Sequence, residues 1–248
     1  KNQQEKLIIN ERHEAWGNLA RKMAHEIKNP LTPIQLTIDR LKSKYSEYLN
    51  DDDKEKFKEN LKIINNQIKQ IEKLINDFSD FARMPKPTLQ NNDLILLIND
   101  NIKLLQELDN SINITFKTND KEIFFNSDKE QLSRVFFNLI KNSIESIHQK
   151  LEKVSNIKKN IAIELINENN HISFIIDDTG IGFENLNENI KDILNPYFTT
   201  KKKGTGLGLS IVNKIINDHN GTLKFINQDI GAKITLTFPN NVDWNINY

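Results

Sequence analysis

The stretch that decides the fold of the first third of the chain is HEIKNPL, residues 25–31. The surrounding apolar residues recur at helical spacing, yet Pro30 and Pro33 fall inside the pattern. A proline in a helix interior lacks the N–H donor and crowds the carbonyl four residues back, at a cost of about 3 kcal/mol. Here the freed carbonyls belong to Glu26 and Asn29. We therefore expect a long helix that uses a local defect beside its histidine.

Outward from this stretch, apolar residues recur three or four positions apart, with one extra four-residue step across His25. This spacing predicts a coiled-coil helix that is locally unwound at that step. His25 lies about 200° around the helix from Met23 and Ile27, so it should point away from the seam, with Asn29 one turn on along the same exposed face. The predicted seam consists of Trp16, Ala20, Met23, Ile27, Leu31, Ile34, Ile38, Leu41, Tyr45 and Tyr48.

A lone histidine on a helix is most simply a solvated surface side chain. The two prolines and the outward-facing Glu26 and Asn29 favour a chemical role for His25. A zinc peptidase would need the pattern His-Glu-x-x-His, and the fifth position here is Asn29, so that class is excluded.

A second helix is predicted after residues 50–53, whose aspartates suit a helix N-terminus. It ends before Pro85 and Pro87, because proline restricts the residue before it. Two long helices with a short loop form an antiparallel hairpin, which by itself leaves much of its apolar surface in water. We therefore expect two hairpins to pair as a homodimeric four-helix bundle. The apolar repeat of the second helix is Phe57, Leu61, Ile64, Ile68, Ile71, Ile75, Phe78 and Ala82.

The remaining two thirds of the chain mixes strands and helices without regular βαβ alternation. Asp128 and Gln131 form a capping-box pattern at the start of one helix. The mixture predicts an α+β two-layer sandwich with a mixed sheet, joined to the hairpin by a hinge at residues 84–90. Helices are predicted at 93–108, 129–150 and 207–218, and strands at 112–117, 123–125, 161–166, 172–177, 222–226 and 233–238.

The composition narrows the possible functions. The 248 residues have a net charge of 0 and a pI near 7.2, which gives no indication of nucleic-acid or anionic-membrane binding. There is no cysteine, which excludes disulfides and thiolate metal sites. No apolar run approaches the roughly 18 residues that span a bilayer. Because the chain begins at Lys1 and not at methionine, we expect it to be a piece of a longer protein.

Two stretches in the last two thirds of the chain contain residues that suit a bound cation and the base of a nucleotide. Asn138 and Asn142 share a helix face, and their amide oxygens suit a hard cation that keeps its waters; the alternative is a solvated face. DTGIG, residues 178–182, follows an apolar strand and combines a carboxylate that can accept from adenine's amine with glycines that allow close approach. Its alternatives are a metal pair with Asp177 or a plain turn.

Two further stretches suit the phosphates. In NPYFTTKKK, residues 195–203, Phe198 can anchor a loop whose lysines face a polyphosphate, or the loop is simply basic and solvated. In GTGLGL, residues 204–209, glycines open a helix whose free N–H groups favour an anion. The spacing matches neither a P-loop nor a Rossmann fingerprint.

In combination, these four stretches resemble the N, G1, F and G2 boxes of the GHKL (Bergerat-fold) ATPases. With the preceding histidine stretch, residues 15–240 resemble the transmitter region of a bacterial sensor histidine kinase. Residues 16–36, 196–201 and 203–210 are particularly similar to nitrogen-regulation sensor kinases of the NtrY type. This similarity implies a cytoplasmic location for the chain and an anchor in the inner membrane for the full-length protein. The resemblance implies five segments: an incoming signalling helix at 1–14, a dimerisation and phosphotransfer hairpin at 15–84, a linker at 85–91, a catalytic ATP-binding domain at 92–240 and a tail at 241–248.

The resemblance also implies residue roles. His25 would be the phosphoacceptor, Glu26 its neighbouring base, and Asn29 a residue that supports phosphatase activity toward a response regulator. Asn142 would hold Mg²⁺ on ATP, and Asp178 would bind adenine. The full implied ATP site is Asn138, Lys141, Asn142, Asp178, Gly180, Gly182, Phe198, Thr200, Lys201, Lys203, Gly204, Thr205, Gly206, Leu207 and Gly208.

The implied function is ATP-dependent phosphorylation of His25 and transfer to a receiver domain, of the NtrX type by the NtrY resemblance. One competing class is the GHKL ATPases that hydrolyse ATP to drive a clamp or chaperone cycle. Those proteins place a glutamate where this chain has Asn138, and without that base transfer is favoured over hydrolysis. A scaffold that binds ATP without chemistry is the other alternative, against which the intact boxes argue.

Overall fold

The computed structural model describes residues 2–82, 84–154, 157–183, 190–196, 198–199, 201 and 204–240. The chain divides into two compact units, one comprising Lys1–Pro85 and Thr199–Leu207 and the other Lys86–Phe198 and Gly208–Tyr248. In the described part of the chain, no helix is both long enough and apolar enough to cross a membrane.

The first unit is built on a hairpin of two helices, α1 (Asn2–Tyr45) and α2 (Asp51–Ala82). Asn50 caps the second helix, because its Oδ1 accepts from the Asp53 N–H at 2.8 Å. The helix α1 continues through both Pro30 and Pro33, as the apolar spacing predicts. The Pro33 carbonyl also accepts from the Thr37 hydroxyl at 2.8 Å. The antiparallel hairpin predicted from the sequence is confirmed.

Among the residues whose burial is described, the hairpin buries only five of its predicted seam positions. The buried row recurs every seven residues and contains Ala24 instead of Met23, so it has no extra four-residue step. Two helices alone bury one position per heptad on each, and the alternate position stays in solvent. The buried row is Ala24, Leu31, Ile38, Leu61, Ile68 and Ile75, with Phe57 packed against it. Five of the exposed seam positions alternate with this row and are here called the uncovered stripe: Ile27, Ile34, Leu41, Ile64 and Ile71.

The second unit is an α/β domain. Its helices are α3 (Leu94–Leu108), α4 (Lys129–Leu151) and α5 (Gly208–Asp218), with a 3₁₀ helix at Ile190–Leu194. Its strands are β1 (Gln90–Asp93), β2 (Asn113–Lys117), β3 (Phe124–Ser127), β4 (Asn160–Asn167), β5 (His171–Asp178), β6 (Thr222–Asn227) and β7 (Ala232–Pro239). Each helix and strand predicted from the sequence is present, with bounds that differ by a few residues.

Five strands form one mixed sheet in the order β2-β4-β5-β7-β6, in which only β2 and β4 are parallel. Register places Ile176 of β5 between Ile163 of β4 and Ile234 of β7. These residues are buried and alternate along their strands with half-exposed or exposed ones, so one face of the sheet packs against the helices. The rings of Phe136 on α4 and Phe174 on β5 lie 4.8 Å apart in this core. The two-layer α+β architecture is confirmed.

The strand β1 is not predicted by the sequence. It begins at Gln90, inside the segment expected to be linker, and pairs antiparallel with β3 as a separate two-stranded sheet. Just before it, the Thr88 N–H donates to Asp128 Oδ2 at 2.8 Å. From Thr88 onward, the chain that follows Pro85 and Pro87 is therefore bonded to the α/β domain.

Candidate active site

The histidine stretch lies on the surface of α1. His25, Glu26 and Asn29 are all exposed, whereas Ala24 and Leu31 on the neighbouring face are buried against α2. The imidazole and the amide therefore occupy the outer face that the helical spacing predicts, where another protein or a nucleotide can reach them.

Asp178 is the buried charge of the α/β domain. It ends β5, is 4% exposed, and accepts from the Gly180 N–H at 2.8 Å and the Ser143 hydroxyl at 2.9 Å. Burial raises the pKa of its carboxyl above the usual range, while bonds from Gly180, Ser143 and the backbone of Ala232 oppose that rise. Because these three bonds do not use all the acceptor positions of a carboxylate, Asp178 can accept one more donor.

The loop after Asp178 lies tightly against α4. A Cβ on Gly180 would lie 2.1 Å from the Ser146 hydroxyl, so only glycine fits there. Gly182 has φ of +68°, a conformation that glycine adopts without strain. The sequence predicted a sharp turn and a close backbone approach at these two glycines, and their role in a nucleotide site remains a prediction.

Asn138 and Asn142 are half-buried on one face of α4. Asn138 Nδ2 donates to the Arg134 carbonyl at 2.8 Å. A Cβ on Gly208 would lie 3.5 Å from Asn138 Oδ1, so the first residue of α5 lies beside the asparagine face. Lys141 directly precedes Asn142 in the chain, and its ammonium lies 4.0 Å from the Glu145 carboxylate. The N-terminus of α5 and the asparagines of α4 are thus brought together.

The glycine segment before α5 is partly described. Gly206 has φ of +69°, and the Gly204 N–H donates to the Lys201 carbonyl at 3.2 Å. Leu207 is buried, while Thr205 and the side chain of Phe198 are half-buried. Of the predicted site residues, Thr200 and Lys203 lie outside the described residues.

These residues fit an adenine nucleotide and a phosphate-bound cation. A buried carboxylate with a spare acceptor position suits an exocyclic amine, and the N-terminus of α5 suits a phosphate. Among the described residues, no group of three or more His, Cys, Asp or Glu side chains is placed to hold a metal ion. The amide of Asn142 is instead the kind of single ligand that Mg²⁺ accepts when phosphate oxygens and water fill its other positions.

Four side chains that hold the site or its surroundings are not predicted from the sequence. Ser143, Ser146 and Lys150 lie along the face of α4 that meets the Asp178 loop, and their i, i+3, i+7 spacing could have revealed them. The fourth is His219, which is fully buried; its Nε2 accepts from the Asp128 N–H at 3.0 Å and its Nδ1 donates to the Ile215 carbonyl at 2.8 Å. Burial lowers the pKa of His219, so the ring is held neutral in this tautomer.

Comparison with known families gives two matches. Residues 15–87 match the His Kinase A (phospho-acceptor) domain, and residues 127–242 match the histidine kinase-, DNA gyrase B- and HSP90-like ATPase family. An NtrY-like sensor histidine kinase of Rickettsia bellii (strain RML369-C) is 36% identical over 94% of this chain, which spans 36% of that protein. Nitrogen regulation protein NtrY of Azorhizobium caulinodans is 34% identical over 93% of this chain and 30% of its own length.

Among solved structures, the histidine kinase ThkA in complex with the response regulator protein TrrA matches with a TM-score of 0.65 and 25% identity. The match covers 97% of this chain and 66% of that one. The chain spans about a third of the length of each of the two curated relatives named above. The two family matches cover the helical hairpin and most of the α/β domain.

Proposed function

The chain belongs to the sensor histidine kinases, and from that premise we propose that it phosphorylates itself on His25 with ATP and passes the phosphoryl group to an aspartate of a receiver domain. The observation that most directly supports this is the exposure of His25, Glu26 and Asn29 together on one helix beside a buried row. A reactive histidine must be reached first by ATP and then by a partner protein.

In the first step, an imidazole nitrogen of His25 attacks the γ-phosphorus of ATP. The bond from that phosphorus to the β,γ-bridging oxygen breaks, ADP leaves, and Glu26 accepts the imidazole proton. In the second step, the N–P bond breaks, an aspartate oxygen of the receiver bonds to phosphorus, and the histidine regains a proton. The main contributions of the protein to phosphoryl transfer are the positioning of the reactants and the neutralisation of charge.

The α/β domain would position the nucleotide for that chemistry. Asp178 accepts from the adenine amine, and the N-terminus of α5 with Gly204, Gly206 and Gly208 approaches the phosphates. Asn142 would hold Mg²⁺, with Asn138 and Lys141 beside it, and the cation would supply charge neutralisation. No carboxylate stands at the position of Asn138, so the base that the hydrolytic clamp ATPases use is missing there.

The test is labelling with γ-labelled ATP. Wild type should gain acid-labile, base-stable label, and His25→Gln should lose all of it while still binding ADP. His171→Gln is the matched control, since His171 is the first residue of β5 and its side chain is 40% exposed, and it should label normally. ATP hydrolysis without labelled protein would instead favour the clamp class.

Phosphatase activity toward the phosphorylated regulator is the second proposed activity. The exposed Asn29 lies one helical turn after His25, where its amide can hold a water against a phospho-aspartate. Asn29→Ala should lose this activity and keep labelling. If the variant lost labelling and kept the phosphatase, this role of Asn29 would be wrong.

The proposed partners are a second copy of the chain and a receiver domain. The uncovered stripe supports the homodimer, since it repeats along both helices at the position a second hairpin would bury. The NtrY-like relatives support a receiver of the NtrX type, and the fastest phosphoryl transfer among candidate receivers would identify it.

A further inference from the structure

The loop after Asp178 is held by one face of α4. Ser143, Ser146 and Lys150 follow one another at i, i+3 and i+7, so their side chains project from the same side of the helix. We call these three residues the α4 clamp. Each of them bonds to the segment Asp178–Ile181 and to no other segment in the described hydrogen bonds.

The two peptide units around Gly180 have every polar group bonded. The Thr179 and Gly180 carbonyls accept from Lys150 Nζ at 3.1 and 2.8 Å. The Gly180 N–H donates to Asp178 Oδ1 at 2.8 Å, and the Ile181 N–H donates to Ser146 Oγ at 3.0 Å. Three of these four groups are therefore bonded to the α4 clamp, and the orientation of both peptide planes is set by that helix.

The carboxylate itself is held by the same helix. Ser143 is 2% exposed on the mostly apolar inner face of α4, where a hydroxyl without a partner would be costly. Its partner is Asp178 Oδ2, at 2.9 Å. The carboxylate oxygens are thus held in one orientation before any ligand arrives.

Resting on the proposed function, we propose that Ser143, Ser146 and Lys150 are positioning residues that give the site its preference for adenine over 6-oxo purines. Adenine presents an amine donor at position 6, and a hypoxanthine ring presents a carbonyl acceptor there. A carboxylate fixed in place accepts from the amine and repels the carbonyl oxygen. A carboxylate free to rotate loses both effects, because binding then includes the cost of ordering the loop.

Lys150→Met tests the proposal, since it removes the ammonium and keeps the length of the side chain. The probes are ADP and inosine diphosphate, titrated calorimetrically into the 248-residue chain with Mg²⁺. We expect the Kd for ADP to rise about tenfold, the Kd for inosine diphosphate to change less than twofold, and the thermal midpoint to stay within the range of the control. Lys150→Arg should recover most of the preference, because it restores a cationic donor.

Lys129→Met is the matched control, since this exposed lysine lies in the first turn of the same helix and outside the site. Ser146→Ala is the second variant and should raise the Kd for ADP about threefold without removing a charge. In labelling assays, KM for ATP should rise in both clamp variants while kcat at saturating ATP changes little.

Two results would overturn the inference. One is unchanged ADP affinity and preference in both Lys150→Met and Ser146→Ala. The other is an equal loss of affinity for the two nucleotides, which would indicate a merely structural role. A wild-type chain that did not prefer ADP would instead overturn the proposed adenine site, and the inference with it.

Discussion

The two units of the molecule differ in how completely each buries its own apolar residues. The helices α1 and α2 are 44 and 32 residues long. The described core of the hairpin that they form nevertheless consists of six side chains, and its uncovered stripe lies in solvent. The α/β domain buries Phe136, Phe174 and Phe238 completely between its helices and sheet. From this difference we expect the α/β domain to be stable by itself and the hairpin to depend on the proposed second copy.

The largest effect should come from the core of the α/β domain. Phe136 has no exposed surface and stacks on Phe174, so Phe136→Ala should lower the free energy of unfolding by about 3–5 kcal/mol. Chemical denaturation followed by circular dichroism measures it. Leu96→Ala on α3, where Leu96 is 64% exposed, is the control and should change stability by less than about 0.5 kcal/mol. A loss for Phe136→Ala no larger than that of the control would contradict the comparison.

A smaller effect is expected in the uncovered stripe, and it should depend on protein concentration. Ile71 is 44% exposed in the single hairpin. Its burial by a second copy would contribute about 1.5–3 kcal/mol per side chain, which Ile71→Lys would remove. Sedimentation equilibrium should show a dimer for wild type and a shift toward monomer for the variant.

Asn66→Lys is the control for this change, since it adds the same charge on the opposite, exposed face of α2. It should remain dimeric. A monomeric wild-type chain, or equal effects of the two lysines, would show that the stripe is not an interface between copies.

The smallest effect is a pH dependence within the α/β domain. Burial lowers the pKa of His219 below the usual value near 6.5, so the unfolded chain binds the proton more readily. The stabilisation is therefore complete above about pH 6.5 and is lost as the pH falls toward the folded-state pKa. The charged groups facing this ring are Asp128 and Asp218, the latter paired with Lys214 at 3.1 Å.

His219→Gln should flatten this pH dependence, because the glutamine does not titrate. Denaturation midpoints at pH 5.5, 6.5 and 7.5 measure the slope. His171→Gln, at an exposed site paired with Glu168, is the control and should keep the wild-type slope. Identical slopes for wild type and His219→Gln would exclude His219 as the cause.

Most of the fold was predictable because its elements have strong local patterns. The seven-residue repeats predicted both long helices, and alternation predicted the strands of the five-stranded sheet. The short strand β1 has no such pattern, since its residues Gln90–Asp93 are all polar. It forms because β3 lies beside it, and that pairing joins residues more than 30 positions apart.

The coiled-coil seam shows a second reason why the structure differs from what the sequence predicts. Spacing alone predicted Met23 as a core position, but the packed hairpin buries Ala24 and leaves Met23 45% exposed. Which of two adjacent residues faces the partner depends on the relative rotation of the two helices. That rotation is a property of the packed pair.

The candidate site likewise contains residues that belong to local motifs and residues whose partners are distant in the sequence. Asp178, Gly180, Asn138 and Gly208 were identifiable because their motifs are short and local. The α4 clamp and His219 were not identified, because the i, i+3, i+7 spacing of the clamp indicates only a shared helix face and their bonding partners are distant in the sequence. Lys150 and Gly180 are 30 residues apart, and His219 and Asp128 are 91 apart.

By itself, the sequence determined the helical hairpin, the α/β sandwich, the glycine-rich motifs and the exposed face that carries His25, since each depends on spacing within about twenty residues. Only the tertiary structure decided which seam positions are buried, how β1 pairs and which side chains hold the Asp178 loop. These depend on contacts between distant segments, and a hydrogen bond or a buried face exists only once both partners are in place.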